Sequence, residues 1–311
     1  MVRPLFILSM PRAGSTLLQR VLAADRQIAS VAEPWVLLPF IYALRDRGVR
    51  ADYSHPLANK ALVEFLGELP NGRQDYLAAI GVVVKELYQK AAKDSDAQYF
   101  LDKTPRYSLI AHELFDTFPD GKFIVLWRNP LAIIASLIET CGRGRWNVSG
   151  FHMDLFDGLA NLIESVQSRS EKVLAIQYEH FVQFPEQELA RIADYLEIHL
   201  DAELLKSFQD VTFSGTMGDP TGAKKYRHIE MAPLDKWKTT ISNPFRKGWC
   251  RRYLEWIGEE RMKIMGYDLH EVACDLDSVR VSSRHLLSDC TTIFGEKVVT
   301  GIRLVGQAVL K

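Results

Sequence analysis

The chain has 311 residues, of which 47% are apolar and 25% charged, with Lys+Arg 38 against Asp+Glu 39. This is the balance of a folded globular protein and excludes disordered, collagenous and membrane-spanning classes. A formal net charge of −1 gives no general attraction for nucleic acid, so any anion site must be local.

Pro4-Leu-Phe-Ile-Leu8 is a short continuous apolar run, as a buried parallel strand gives. It is too short for a signal peptide, and nowhere does the sequence reach the roughly 18 apolar residues of a membrane span. Ser9-Met-Pro-Arg-Ala-Gly14 breaks the run, and Leu17, Leu18, Val21 and Leu22 then recur at helical spacing. Residues 57–93 carry helical periodicity without a strand signal and read as part of a helical insertion over about 34–95. Tyr99-Phe-Leu101, Lys122-Phe-Ile-Val-Leu-Trp127 and Lys172-Val-Leu-Ala-Ile-Gln177 are further strand candidates, with a helix from Pro130 to about Cys141 and another over roughly 152–170. Strands alternating with helices predict an α/β fold, a P-loop-like three-layer sandwich with a central parallel sheet flanked by helices. Residues 1–270 are expected to form the main domain and 271–311, with little pattern, a C-terminal appendage. The segments 142–150 and 212–233, rich in Gly, Arg, Pro and Thr, read as loops. The four cysteines, Cys141, Cys250, Cys274 and Cys290, form no CxxC pair, zinc pattern or disulfide framework, which suits reduced thiols in the cytoplasm.

The break after the first strand matches the phosphate-loop template G-x-x-x-x-G-K-[ST] at Gly14 and Thr16, with Ser9 at the first Gly and Ser15 at the Lys. Anion binding survives in backbone N–H groups at a helix start, the hydroxyls of Ser15 and Thr16, and the positive end of the helix dipole. The cation has moved into the loop as Arg12. A capped helix after a strand is the plainer reading of the same residues. A second feature is Arg128-Asn-Pro-Leu-Ala-Ile-Ile-Ala-Ser136, where Arg128 ends an apolar strand. Open α/β sheets bind ligands at such strand ends. A guanidinium and the Ser136 hydroxyl suit a second phosphate, although an Arg at a strand end also serves as an ordinary ion-pair residue.

Together these residues resemble the PAPS-dependent sulfotransferases, whose sulfuryl donor is 3′-phosphoadenosine 5′-phosphosulfate. The match runs through Arg12 to Thr16, through Arg128 and Ser136 at the family's interval of eight residues, and through Asp102-Lys-Thr-Pro105, Tyr178-Glu-His-Phe181 and Leu234-Asp-Lys-Trp237. The resemblance implies that Arg12, Ala13, Gly14, Ser15 and Thr16 hold the 5′-phosphosulfate, and that Arg128 and Ser136 hold the 3′-phosphate. It also implies that Tyr178 lies near the nucleotide, that Lys236 reaches the 3′-phosphate, and that Thr221 adds a hydroxyl. The His that serves cytosolic steroid and phenol sulfotransferases as base is absent, since Pro105 follows Lys103-Thr104. In the tyrosylprotein sulfotransferases and their bacterial relatives the base is a Glu shortly after the first helix, and Val31-Ala-Glu33-Pro34 stands in that position. Glu33 is thus the candidate base, and Arg12 and Lys103 the candidate cations for the leaving phosphate. The tyrosylprotein enzymes carry an Arg where Thr140 stands here, with Arg143 and Arg145 nearby as substitutes. Arg246-Lys-Gly248 imitates a family motif, but it follows the Trp instead of preceding it.

The expected reaction is sulfuryl transfer to a hydroxyl, or an amine, of a small-molecule acceptor, with no metal, no nucleic acid and no membrane involved. Segments 34–95, 142–152 and 212–233 are expected to build the acceptor pocket, with Trp35, Trp146, Phe151 and His152 as either its aromatic lining or core. A P-loop kinase or NTPase is the alternative, weakened by Ser15 in the Lys position and the lack of a clear metal-binding carboxylate. A non-catalytic nucleotide-binding protein on the same fold is the third reading.

Overall fold

The computed structural model describes residues 1–93, 96–213, 217–218, 228–230 and 234–291. Residue contacts gather the chain into two units, Met1–Trp127 with Asp154–Ile229, and Arg128–Met153 with Glu230–Lys311.

The first unit is built on a sheet of five strands, β1 (Arg3–Ser9), β2 (Ile28–Ser30), β3 (Tyr99–Asp102), β4 (Lys122–Trp127) and β5 (Val173–Gln177), in the order β2-β3-β1-β4-β5. All neighbours are parallel, with Phe6 opposite both Asp102 and Phe123, Ser9 opposite Leu126, and Trp127 opposite Gln177. The four strands expected from apolar runs are present. β2 was not foreseen, because three residues are too few to show alternation. It is fixed by tertiary bonds, the Gln27 carbonyl accepting from Gln98 N and Tyr99 N, and the Ser30 hydroxyl donating to the Leu101 carbonyl at 2.8 Å. Beneath the centre of the sheet Phe6, fully buried, meets Tyr88, Tyr107, Phe118 and Phe123 with ring centroids 5.1 to 6.5 Å away.

Helix α1 (Ser15–Ala23) packs on β1 and β2, and α2 (Leu37–Tyr42) follows Glu33. The helical periodicity over 57–93 is met by two helices, α3 (His55–Leu66) and α4 (Arg73–Ala91), parted by Pro70-Asn-Gly72. α4 buries Leu77, Ile80, Val84 and Tyr88, and packs on β1 and on α5 (Ala111–Thr117). After β4 the chain enters the second unit through α6 (Pro130–Thr140), whose start is set by Pro130 in the first turn and by the Asn129 side chain accepting from Leu131 N at 2.9 Å. It returns to the first unit at Asp154. The helix expected over roughly 152–170 begins with a π-helical turn, Met153–Gly158, and continues as α7 (Leu159–Ser168). Then come α8 (Tyr178–Gln183) directly after β5, α9 (Pro185–Leu196) against β5, and α10 (Leu204–Ser207) against α1.

The second unit holds α6, α11 (Lys236–Thr240), α12 (Pro244–Ile264), which kinks at Gly258, and α13 (Leu269–Ser278). Its hub is Arg246, 1% exposed, which donates from Nε to Asp289 Oδ2 at 2.7 Å, from Nη2 to Asp289 Oδ1 at 3.0 Å, and to the carbonyls of Thr240 and Gly144. The resemblance of Arg246-Lys-Gly248 to a phosphate motif is therefore met by a structural residue, and Lys247 is likewise spent on the carbonyls of Asp277 and Val279. α13 spans the expected boundary at 270 and packs on α12. Among the described residues no helix is long and apolar enough to cross a membrane, and no cluster of His, Cys, Asp and Glu is arranged to hold a metal.

Candidate active site

β1 and β4 are neighbours at the middle of the sheet, and the chain leaves them in opposite directions, from β1 towards β2 and from β4 towards β5. The carboxyl ends of such a pair form the crevice where open parallel sheets hold ligands. The loop Ser9 to Thr16 leaves β1 at that point. It turns tightly, with Ala13 N donating to the Met10 carbonyl at 3.2 Å, and two of its residues are left-handed, Arg12 at φ 70 and Gly14 at φ 94. Gly14 caps α1 without any side-chain bond to the first N–H groups. Backbone turns of this kind aim N–H groups at an anion. The residue must be Gly for a second reason too, since the buried ring of Tyr178, first residue of α8, lies directly against it.

Lys103 follows β3 and is 1% exposed. Its ammonium donates to Glu33 Oε1 at 2.6 Å and to Thr16 Oγ1 at 3.3 Å. A cation, a carboxylate and the last hydroxyl of the loop thus converge from three elements far apart in sequence. Two tethers set the approach of Glu33: the buried Gln19 on α1 donates from Nε2 to Ser30 Oγ at 2.9 Å and to the Val31 carbonyl at 2.8 Å, drawing the chain after β2 onto α1. The other carboxylate oxygen, Glu33 Oε2, accepts from the Trp35 indole Nε1 at 3.1 Å.

Behind Lys103 the end of β3 is pinned by Asp102, fully buried, which accepts from Tyr88 Oη at 2.6 Å, Tyr107 Oη at 3.0 Å and Thr104 Oγ1 at 3.0 Å. Burial raises its pKa to about 6, against the opposing pull of these three hydrogen bonds and of Lys103. A second carboxylate, Asp154, is raised by burial against the pull of Arg106, which donates to its Oδ2 at 3.1 Å.

Of the residues singled out in the sequence, Thr16, Glu33 and Lys103 are in direct contact, and Gly14 touches Tyr178. Arg12, Ala13 and Ser15 share the loop. In the second unit Arg128 is buried at 9% exposure immediately after Trp127, Ser136 is half-buried on α6, and Lys236 is exposed at the start of α11. Arg143 and Arg145 are exposed. Thr221 lies outside the described residues. Trp146 is core, packed edge-on against Phe245 and Trp249. Asp102, Arg106 and Asp154 were not foreseen as partners of the site, because the Tyr88, Tyr107 and Trp35 rings that recruit them come from other elements.

A model of the sulfotransferase family matches residues 4–202. The chain belongs to the sulfotransferase family. Among its relatives in that family, it is 36% identical to the nodulation protein NoeE of Sinorhizobium fredii over 141 residues, 44% of this chain and 31% of that one. It is 24% identical to protein-tyrosine sulfotransferase A of Caenorhabditis elegans over 250 residues, 76% of this chain and 61% of that one. The chain thus spans less than two thirds of the length of either relative. The sulfotransferase domain from the curacin biosynthetic pathway superposes with a TM-score of 0.56 at 25% identity, covering 83% of this chain and 98% of that domain. The sulfotransferase domain of the Synechococcus olefin synthase gives 0.51 at 25% identity, over 76% and 88%. The expected fold is thereby the family's own, a parallel sheet flanked by helices with a P-loop-like turn after its first strand.

Proposed function

We propose that the chain moves a sulfuryl group from PAPS to a hydroxyl, or an amine, of a small-molecule acceptor, with Glu33 as base and Arg12 and Lys103 stabilising the leaving phosphate. The observation that carries this reading is the Lys103 ammonium held between Thr16 Oγ1 and Glu33 Oε1, at 3.3 and 2.6 Å. It brings an ammonium and a carboxylate together beside the last hydroxyl of the loop after β1, which supports the reading of Glu33 as base and Lys103 as cation. The left-handed Gly14 turn with the Ser15 and Thr16 hydroxyls suits the 5′ group; the sequence resemblance assigns Arg128, Ser136 and Lys236 to the 3′-phosphate, and Tyr178 and Thr221 as further contacts.

When bound, PAPS supplies an activated sulfuryl group on a phosphate leaving group. Glu33 accepts the acceptor's proton as its oxygen forms a bond to sulfur. Lys103 and Arg12 balance the electron pair left on the phosphate oxygen as its bond to sulfur breaks. The products are a sulfate ester and adenosine 3′,5′-bisphosphate. Because no proton is needed on the leaving phosphate, one carboxylate suffices for proton transfer. The likeness to a protein-tyrosine sulfotransferase over 76% of the chain favours a second acceptor reading, a tyrosyl hydroxyl.

The test is a calorimetric titration with adenosine 3′,5′-bisphosphate, with ATP and magnesium as control. Micromolar binding of the bisphosphate that Arg128→Ala abolishes is the expected result. Binding of ATP alone overturns the donor assignment. An acceptor screen that includes small phenols, alcohols, amines and a tyrosyl peptide then separates the two acceptor readings.

A further inference from the structure

Glu33 reaches Lys103 on a turn whose backbone is strained. Trp35, two residues on, has φ 55, in the left-handed region. That conformation costs a bulky residue roughly 1–2 kcal/mol, and such strain persists where surrounding contacts impose it. The contacts here are specific. The turn folds the indole back so that Nε1 donates to Glu33 Oε2 at 3.1 Å, while Oε1 takes the Lys103 ammonium at 2.6 Å. Both carboxylate oxygens are thereby held, by donors from different elements, and rotation about the last side-chain torsion is blocked. The ring is fixed in turn, with the Arg106 guanidinium 5.9 Å from its centroid and bonded to the buried Asp154 at 3.1 Å.

We infer that Trp35 is a positioning residue for Glu33: its indole N–H orients the carboxylate, and the Arg106–Asp154 pair holds the indole. This rests on the reading of Glu33 as the base. The two donors have different effects. Lys103 brings a charge that also serves the leaving group, whereas the indole brings direction without charge. Each oxygen keeps a further lone pair, so a carboxylate fixed at both ends still accepts a proton, along directions that the two contacts set. A base held in this way avoids the loss of rate that about 1 Å of misplacement brings, up to ~100-fold.

The experiment has a spectroscopic and a kinetic part. With 6 tryptophans in the chain, the indole N–H region of a ¹⁵N-labelled sample is sparse, and the Trp35 resonance is assigned by its loss in Trp35→Phe. It is expected to shift in Glu33→Gln by more than any of the other indole resonances, because it alone of the indoles donates to the Glu33 carboxylate. A Trp35 resonance that ignores Glu33→Gln overturns the inference whatever Glu33 does in catalysis. The kinetic part follows single-turnover release of adenosine 3′,5′-bisphosphate from PAPS with water as the acceptor. Trp35→Phe is expected to slow release ~10-fold, to leave calorimetric affinity for the bisphosphate within twofold, and to add nothing further in a Glu33→Gln background. Equal losses in both backgrounds, or no loss in either, sink the positioning role. Should Trp35→Phe fail to fold, benzothienylalanine at position 35 keeps the ring shape, removes the N–H and is read by the same kinetic comparison. If Glu33→Gln itself turns over at the wild-type rate, the base assignment fails, and the coupling seen by NMR still reports on the contact.

Discussion

The ring of Tyr178 lies so close to Gly14 that a β-carbon on residue 14 would overlap its Cε2–Cδ2 edge. Tyr178 is 3% exposed and has little room to retreat. The loop after β1 and the start of the helix after β5 are therefore built as one piece, and the glycine there answers both a left-handed backbone and a packed aromatic ring.

Gly14→Ala is expected to cost about 1–2 kcal/mol from the backbone alone, with the clash in addition. Thermal unfolding should fall by several degrees, and calorimetric affinity for adenosine 3′,5′-bisphosphate by at least about tenfold, since the N–H groups at the start of α1 move. Adding Tyr178→Ala should restore part of the stability by removing the clash, but not the affinity. Wild-type affinity in Gly14→Ala would show that the loop does not hold the donor.

Lys103→Met keeps the length and apolar stem of the side chain and removes its charge. Lys103 is 1% exposed, and if it meets the leaving phosphate as proposed, its loss is expected to lower turnover by about 10² to 10³-fold. Lys103→Arg should not rescue it, because a planar guanidinium does not fit where one ammonium reaches both Thr16 and Glu33. Turnover of Lys103→Met within a few-fold of the wild type would remove Lys103 from the chemistry.

Much of this site is legible in the sequence, and for a physical reason. The loop from Arg12 to Thr16 and the apolar runs of β1 and β4 are local patterns, in which spacing alone dictates strand, turn and helix. Glu33 and Lys103 are legible only through family resemblance, because their meeting depends on β2 and β3 lying side by side, and the three-residue β2 leaves no periodic trace. The Tyr88–Asp102–Tyr107 cluster is illegible for the same reason: its members lie on α4, on β3 and just beyond β3, and only the packed sheet aligns them. Arg246 shows the converse, a motif-like string whose charge is spent inside the second unit.

That buried arginine and its partner yield a stability prediction. Arg246 and Asp289 are 2% and 0% exposed at their side chains and bonded at two points. Asp289→Ala leaves a guanidinium buried without its counter-charge and is expected to cost about 3–5 kcal/mol. Replacing both, Arg246→Met with Asp289→Leu, should cost clearly less, since no lone charge remains. Tryptophan fluorescence is the suitable probe, as Trp146, Trp237, Trp249 and Trp256 all belong to this unit. If the double variant is as unstable as Asp289→Ala, the hydrogen bonds to Thr240 and Gly144, and not the charge, govern stability.

Asp102 sets a pH dependence with a definite sign. Its carboxyl has an ordinary pKa of 3.8 and is raised to about 6 in the fold, chiefly by burial and in spite of three hydroxyl donors. A group whose folded pKa is raised binds its proton more tightly in the native state, so its stabilising contribution is complete below pH about 4 and is lost as pH rises through about 6. The span of about two pKa units corresponds to roughly 3 kcal/mol. Asp102→Asn cannot ionise yet retains an oxygen to accept from Tyr88 and Tyr107. Urea unfolding of wild type and variant from pH 4 to pH 8 isolates this contribution, because the other carboxylates are common to both. The wild type is expected to lose stability relative to Asp102→Asn across that window and to run parallel to it above pH 7. A difference independent of pH would mean that the three hydroxyls fully offset burial, leaving Asp102 ionised behind Lys103 throughout.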